Sequence, residues 1–284
     1  MKVFSLKALS AMAALMGGVA FVSTPAMATH ITQGFGFSSQ PFTFNPNAVD
    51  PGAAPGAFDA TLIDFSYRAG VSQTGSNFLE QGFAFFSTFQ HPTLGSPVSA
   101  ATSGLNVNYK LYAIFTGIGT TSAPVTGGVD GVFNNFAVDV FLDRGSNTTC
   151  VVGPGASATC TDPLADDVKI LSGTLSPGGT PTNGGFHVFP GLVAGDFDVL
   201  FDVTSFNSSV WGGAAFAGSP VQGDFNGVNT SITGVTPPPS DFTDGKIIGS
   251  GNGSFQSVPE PTTTALLGLG LAGLGFFGKR RSKN

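Results

Sequence analysis

Asp196-Phe197-Asp198-Val199-Leu200-Phe201-Asp202-Val203 is the stretch that decides the fold. Phe197, Val199, Phe201 and Val203 recur at every second position, and Asp196, Asp198 and Asp202 lie on the opposite face. Successive side chains of an extended chain point to opposite sides, so the pattern marks a strand with one buried and one wet face.

The same reading extends outward. Strands are predicted over Thr61–Tyr67, Leu79–Phe89, Val107–Thr116, Val132–Leu142, Val168–Leu175, Phe186–Phe189, Val210–Phe216 and Ile247–Phe255. Turn-rich pieces such as Gly127-Gly128, Pro177-Gly178-Gly179 and Pro237-Pro238-Pro239 separate them. Asn45–Gly56, with Pro46, Pro51 and Pro55, reads as an irregular loop closing over the domain. The chain has 41 Gly and 28 Phe against one Trp, a composition of strands punctuated by turns. No amphipathic helical stretch and no fixed-period repeat interrupts the pattern. The expected fold is all-β: a single antiparallel β-sandwich-like domain over residues 29–257.

Both ends differ from this body. Lys2 and Lys7, the apolar run Ala8–Val22 and the small-x-small site Ala26-Met27-Ala28 make residues 1–28 a secretory signal peptide, cleaved after Ala28. At the other end, Val258-Pro259-Glu260-Pro261 precedes an uncharged run from Thr262 to Gly278, and Lys279-Arg280-Arg281 follows at once. The run is near the ~17-residue lower limit for a spanning helix, and basic residues stay on the cytoplasmic side. Pro259 and Pro261 keep the segment ahead of the run extended. Gly268-Leu269-Gly270-Leu271-Ala272-Gly273 fits a dinucleotide fingerprint in letters only, lacking the βαβ context and the downstream acid.

Charge in the body is sparse and acidic. Arg68, Lys110, Arg144, Lys169 and Lys246 are its basic residues, and the whole chain has a formal net charge of -6. A basic patch for nucleic acid is excluded. Cys150 and Cys160 are the two cysteines. An even count in an exported chain favours a disulfide, worth roughly 2.5–3 kcal/mol for so short a loop.

Catalytic chemistry is thin. His30, His91 and His187 have no zinc-like spacing, no nucleophile elbow or phosphate loop occurs, and Glu80 is the one Glu of the body. No catalytic residue and no cofactor is expected. Asp162, Asp166 and Asp167 are weak calcium candidates, since calcium takes several carboxylate oxygens, but a solvated acidic face explains them as well.

Pro259-Glu260-Pro261, the apolar run and the basic stop resemble the PEP-CTERM sorting signal of Gram-negative bacteria. The resemblance implies that residues 258–284 insert transiently in the membrane and are recognised and removed by an exosortase, much as a GPI signal is discarded. Tyr109–Gly117, Gly195–Phe201, Asp224–Asn229 and Asp244–Gly251 further resemble the flocculation-associated PepA subfamily of PEP-CTERM proteins. That likeness implies a non-enzymatic surface or matrix protein acting with exopolysaccharide in flocculation or biofilm formation. Tyr67, Tyr109, Tyr112 and Trp211 are candidate sugar-stacking groups, although core packing accounts for each. The competing reading is a secreted hydrolase of matrix polysaccharide, which would need two carboxylates in a cleft.

Overall fold

The computed structural model describes residues 38–93, 95–121, 129–176, 184–188, 194–218, 220–234 and 244–258. The signal peptide, His30, Pro259 and everything beyond it, and the turns at Gly127-Gly128, Pro177–Gly179 and Pro237–Pro239 lie outside the described residues.

The described chain forms strands β1 (Phe42–Phe44), β2 (Phe58–Ala60), β3 (Leu62–Thr74), β4 (Asn77–Gln90), β5 (Lys110–Thr121), β6 (Val129–Asp143), β7 (Thr149–Val152), β8 (Ala158–Thr161), β9 (Val168–Leu175), β10 (Gly184–Val188), β11 (Gly195–Phe206), β12 (Trp211–Gly213), β13 (Val221–Thr233) and β14 (Gly245–Ser257). The main sheet runs β11-β13-β14-β3-β4-β5-β6 and then closes on itself. β9 and β10 share the closing position. Each is antiparallel to both β6 and β11, with β9 opposite Ala137–Leu142 and β10 opposite Val129–Val132 of β6. The result is an eight-staved antiparallel barrel whose staves follow one another in chain order, the eighth being interrupted. The all-β antiparallel expectation holds, and its two layers are walls of one closed sheet. Closure removes the unpaired edges an open sandwich would expose.

Glycine and phenylalanine divide the barrel wall between them. The Phe201 ring lies where a Cβ on Gly173 or Gly223 would have to stand, Phe133 covers Gly117, and Phe225 covers Gly253. Flat strips of glycine backbone therefore seat the rings that fill the interior. Phe65, Phe225 and Phe201 form a continuous series, with centroids 5.4 and 4.8 Å apart. Apolar burial of this kind is the main favourable contribution to folding.

One end of the barrel is plugged by the small sheet β12-β1-β2. Phe44 meets Trp211 edge-on at 4.8 Å and Phe58 meets Phe89 at 4.9 Å. The Trp211 indole N–H donates to the Ile170 carbonyl at 3.1 Å, so its polar atom is satisfied in the core. The outer face of β11, β13 and β14 carries Asp, Asn, Gln and Ser between inward apolar or glycine positions.

Val168–Leu175 is a strand with the expected bounds, and the expected strands beginning at Leu79, Val132 and Ile247 are inner parts of longer ones. Val210–Phe216 yields only three strand residues. Gly213 sits at φ +82 and turns the chain into a single 3-10 turn, Ala214–Phe216. Val107 and Asn108 precede β5 in a turn, and Val107 is exposed. β1, β2 and β13 were not foreseen. The Asn45–Gly56 segment is irregular apart from a 3-10 turn at Pro46–Ala48.

Candidate functional site

The chemistry-bearing residues of the described chain gather at the corner where β6 leaves the barrel and the β7–β8 hairpin begins. Cys150 and Cys160 face each other across that hairpin and are joined as a disulfide, with Cα atoms 4.0 Å apart. The hairpin loop lies against the outer wall. Gly70 of β3 has no side chain because the Gly155 carbonyl occupies its Cβ position. The Gly155 N–H donates to Asp244 Oδ1 at 2.7 Å, fixing the loop from the other side.

Asp143 ends β6 with its side chain fully buried. Its two oxygens accept the backbone N–H groups of Asn147 (3.2 Å) and Thr148 (3.0 Å), which closes the turn into the hairpin. Asp167 Oδ2 accepts the Tyr112 hydroxyl at 2.6 Å and the Thr148 hydroxyl at 2.8 Å. Burial pushes the Asp167 carboxyl up from its ordinary range, against the lowering effect of those hydroxyls. The Tyr112 hydroxyl is raised by burial first and then by its bond to Asp167.

The three weak calcium candidates part company here. Asp166 and Asp167 join Asp143, with one oxygen of each within 4.8 Å of the others. Asp162 instead caps the turn after β8, accepting the N–H groups of Leu164 (2.9 Å) and Asp167 (3.1 Å). Burial pushes its carboxyl up, but the surrounding backbone N–H groups together outweigh that and hold it below the ordinary range. Carboxylates are hard oxygen ligands suited to calcium, which takes six to eight of them. Here Asp143 spends both oxygens on backbone N–H groups, and Asp167 spends one on two hydroxyls. These hydrogen bonds make the cluster a fastening between hairpin and barrel.

A second polar surface runs along the outside of β11, β13 and β14. Asp202 Oδ1 accepts from the Ser176 hydroxyl (2.5 Å) and from Gln222 Nε2 (3.1 Å), and Gln222 Oε1 accepts from Gln256 Nε2 (3.1 Å). Next to this ladder Asp198 is hydrogen-bonded to Asp224, while Asn226 donates to Asp224 Oδ2 at 2.8 Å. Burial, then the neighbouring Asp224 carboxylate, raises the Asp198 carboxyl well above its ordinary range.

None of the aromatic candidates for sugar stacking is exposed. Tyr67, Tyr109, Tyr112 and Trp211 are each buried, and the large exposed apolar side chains among the described residues are aliphatic: Val107, Ile118, Val151, Leu164 and Ile248. His187 pairs with Asp130 across β10 and β6 at 2.6 Å, and His91 contacts Thr93 in an exposed loop. Among the described residues, the one group of acidic side chains close enough to hold a metal, Asp143, Asp166 and Asp167, includes neither histidine. Asp143, the residue that organises the corner, was missed in the sequence. Its signal was the turn composition Asp143-Arg144-Gly145-Ser146-Asn147 directly after a strand.

The last described residues run from the barrel straight into the tail. Val258 donates its N–H to the Pro220 carbonyl at 2.9 Å, one residue before Pro259. No curated protein and no solved structure matches the chain. Residues 257–281 match the family model of the PEP-CTERM protein-sorting motif. The chain therefore carries a PEP-CTERM sorting motif beginning at the last residue of β14, and is an exported protein processed by exosortase on its way to the cell surface or the extracellular space.

Proposed function

We propose that the barrel is a non-enzymatic surface or matrix component that supports flocculation or biofilm formation together with exopolysaccharide. The observation that carries this reading is the direct junction of a polar-faced barrel to a sorting motif at residues 257–281. The cargo delivered to the outside is the barrel itself. Its outer ladder of Asp202, Gln222 and Gln256, with Asn226 beside it, offers a carboxyl and amides of the kind that hydroxyl-rich polymers bind. Sugar contact in this reading is through hydrogen bonds along that wall and not through stacked rings.

In the same reading the signal peptide is removed after Ala28, and Val258, Pro259, Glu260 and Pro261 form the recognition element for exosortase. Lys279, Arg280 and Arg281 hold the tail across the membrane until it is cut. The hydrolase reading needs two carboxyls separated widely enough to flank a glycosidic bond, about 5–9.5 Å. Asp198 and Asp224 are hydrogen-bonded to each other on a strand face, which disfavours it.

The test is a strain lacking this chain, complemented with the wild type or with Pro259, Glu260 and Pro261 all changed to Ala. Flocs should disperse in the deletion and in the sorting variant while polysaccharide synthesis continues. Unchanged flocculation in the deletion strain overturns the matrix role. Release of reducing sugar from the organism's polymer by the purified protein would establish the hydrolase instead.

A further inference from the structure

Inside the barrel, away from the aromatic plug, the interior is not completely filled. A cavity of about 40 Å³ is lined by Phe115, Phe136 and Phe197 and by three polar side chains, Tyr67, Glu80 and Asn229. One water molecule needs ~10–15 Å³ on the same measure, so the space exceeds a single hydration site. The polar groups are unequal. The Tyr67 hydroxyl donates to Asn229 Oδ1 and is satisfied. Glu80, 6% exposed on the inward face of β4, has no hydrogen-bond partner among the described residues.

A buried carboxyl without donors is costly and uncommon, and it marks a place where a partner is missing. A purely structural role is better served by an apolar residue filling the same space. The chemistry that satisfies Glu80 is a charge-assisted hydrogen bond from a cationic donor, the strongest partner for a carboxylate. The surrounding ring faces also attract cations. The remaining wall is apolar, as ligand sites usually are.

We propose that the barrel interior is a binding site for a small apolar amine, its ammonium group docked on the Glu80 carboxylate beside Tyr67 and Asn229 and its hydrocarbon part among Phe115, Phe136 and Phe197. This site is separate from the outer polar wall and does not depend on the matrix role.

Tyr67 is the other titratable group lining the cavity, and burial followed by the Glu80 charge keeps its hydroxyl protonated. Burial raises Glu80 to about 7. An alkylamine stays protonated well above that pH, so the protonation state of Glu80 sets affinity in the neutral range.

The test is calorimetric titration of the purified protein with propylamine and hexylamine, and with the alcohols of equal length, at pH 8 and pH 6. At least one amine should bind at pH 8 about tenfold tighter than its alcohol, and about tenfold more weakly at pH 6. Glu80→Gln should abolish the preference for amine over alcohol, and Ala113→Leu, which fills the cavity, should remove both. If Glu80→Gln does not fold, wild-type protein labelled with carboxyl-carbon-13 glutamate gives the answer, because Glu80 and Glu260 are its two Glu residues. Amine must then lower the titration midpoint of the buried one. No binding of any amine, equal binding of amine and alcohol, an unchanged preference in Glu80→Gln, or an unmoved midpoint each overturns the proposal.

Discussion

Gln40 Oε1 accepts both the backbone N–H and the hydroxyl of Ser257, at 3.1 and 3.0 Å, so the segment leading into β1 is tied to the last residue of β14. Gln256 Oε1 accepts the Ser38 N–H at 2.9 Å, and Gln40 itself donates its N–H to the Phe255 carbonyl. The folded unit thus extends to the edge of the sorting motif at residues 257–281.

Gln40→Ala removes one acceptor and leaves two Ser257 donors to find water. A net loss of about 1–2 kcal/mol is expected. Urea denaturation should show a lower midpoint with an unchanged slope, since the surface exposed on unfolding is the same. A midpoint equal to wild type would show that the two ends are not coupled.

The Cys150–Cys160 bridge staples a hairpin that rests on the barrel from outside. Changing both cysteines to Ser should cost about 2.5–3 kcal/mol in the chain-entropy model for a short loop. Asp143, Thr148 and Asp167 still hold the hairpin base, so the far-ultraviolet circular dichroism of the barrel should persist. Tyr112→Phe, which removes one of the two hydroxyls on Asp167 Oδ2, should add a further loss when combined with the cysteine changes. Additive effects would mean bridge and acidic corner act independently, and a larger combined loss would mean they fasten one unit.

The strand pattern was legible wherever apolar residues alternate with charged or amide residues, as in β11. β13 was not, although it also alternates. Its inward positions Gly223 and Gly227 carry no side chain, and the periodicity lies in the rings opposite them. The second half of β3 was missed for a related reason: Arg68-Ala69-Gly70-Val71 reads weakly apolar, although Gly75-Ser76 is a two-residue hairpin signal joining Thr74 to Asn77. Closure of the sheet is a matter of which strands meet last, and single-strand periodicity has no information on it. At the acidic corner the local triplet of Asp162, Asp166 and Asp167 was visible. Asp143, arriving from a neighbouring strand, was a tertiary fact.

Glycine as a seat for phenylalanine gives a sharp packing test. A Cβ at Gly223 would stand inside the Phe201 ring. Gly223→Ala should therefore destabilise by about 1–3 kcal/mol through overpacking, although alanine suits a strand better than glycine. Phe201→Ala should cost about 3–5 kcal/mol by opening a cavity. The pair is the informative variant: with the ring gone, Gly223→Ala should cost almost nothing. If its cost is the same in both backgrounds, the close approach of ring and backbone is not what requires glycine at this position.

Glu80 makes stability fall as pH rises. Burial lifts its carboxyl from 4.5 to about 7, so the folded state binds the proton more tightly than the unfolded chain does. The sign follows from linkage: the contribution is complete below about pH 4.5 and is lost as pH climbs through 7. A shift of this size corresponds to about 3 kcal/mol. Asp198, Asp64 and Asp167 are raised in the same direction, each with burial as the largest cause, and reinforce the trend. Glu80→Gln keeps the shape and cannot ionise. The variant should match wild type near pH 4.5 and exceed it increasingly from pH 6 to pH 8, by about 3 kcal/mol at the upper end. Urea midpoints across that range measure the difference directly. A difference that does not change with pH would mean that Glu80 is solvated in the folded protein, and the buried carboxyl inside the barrel would lose its physical basis.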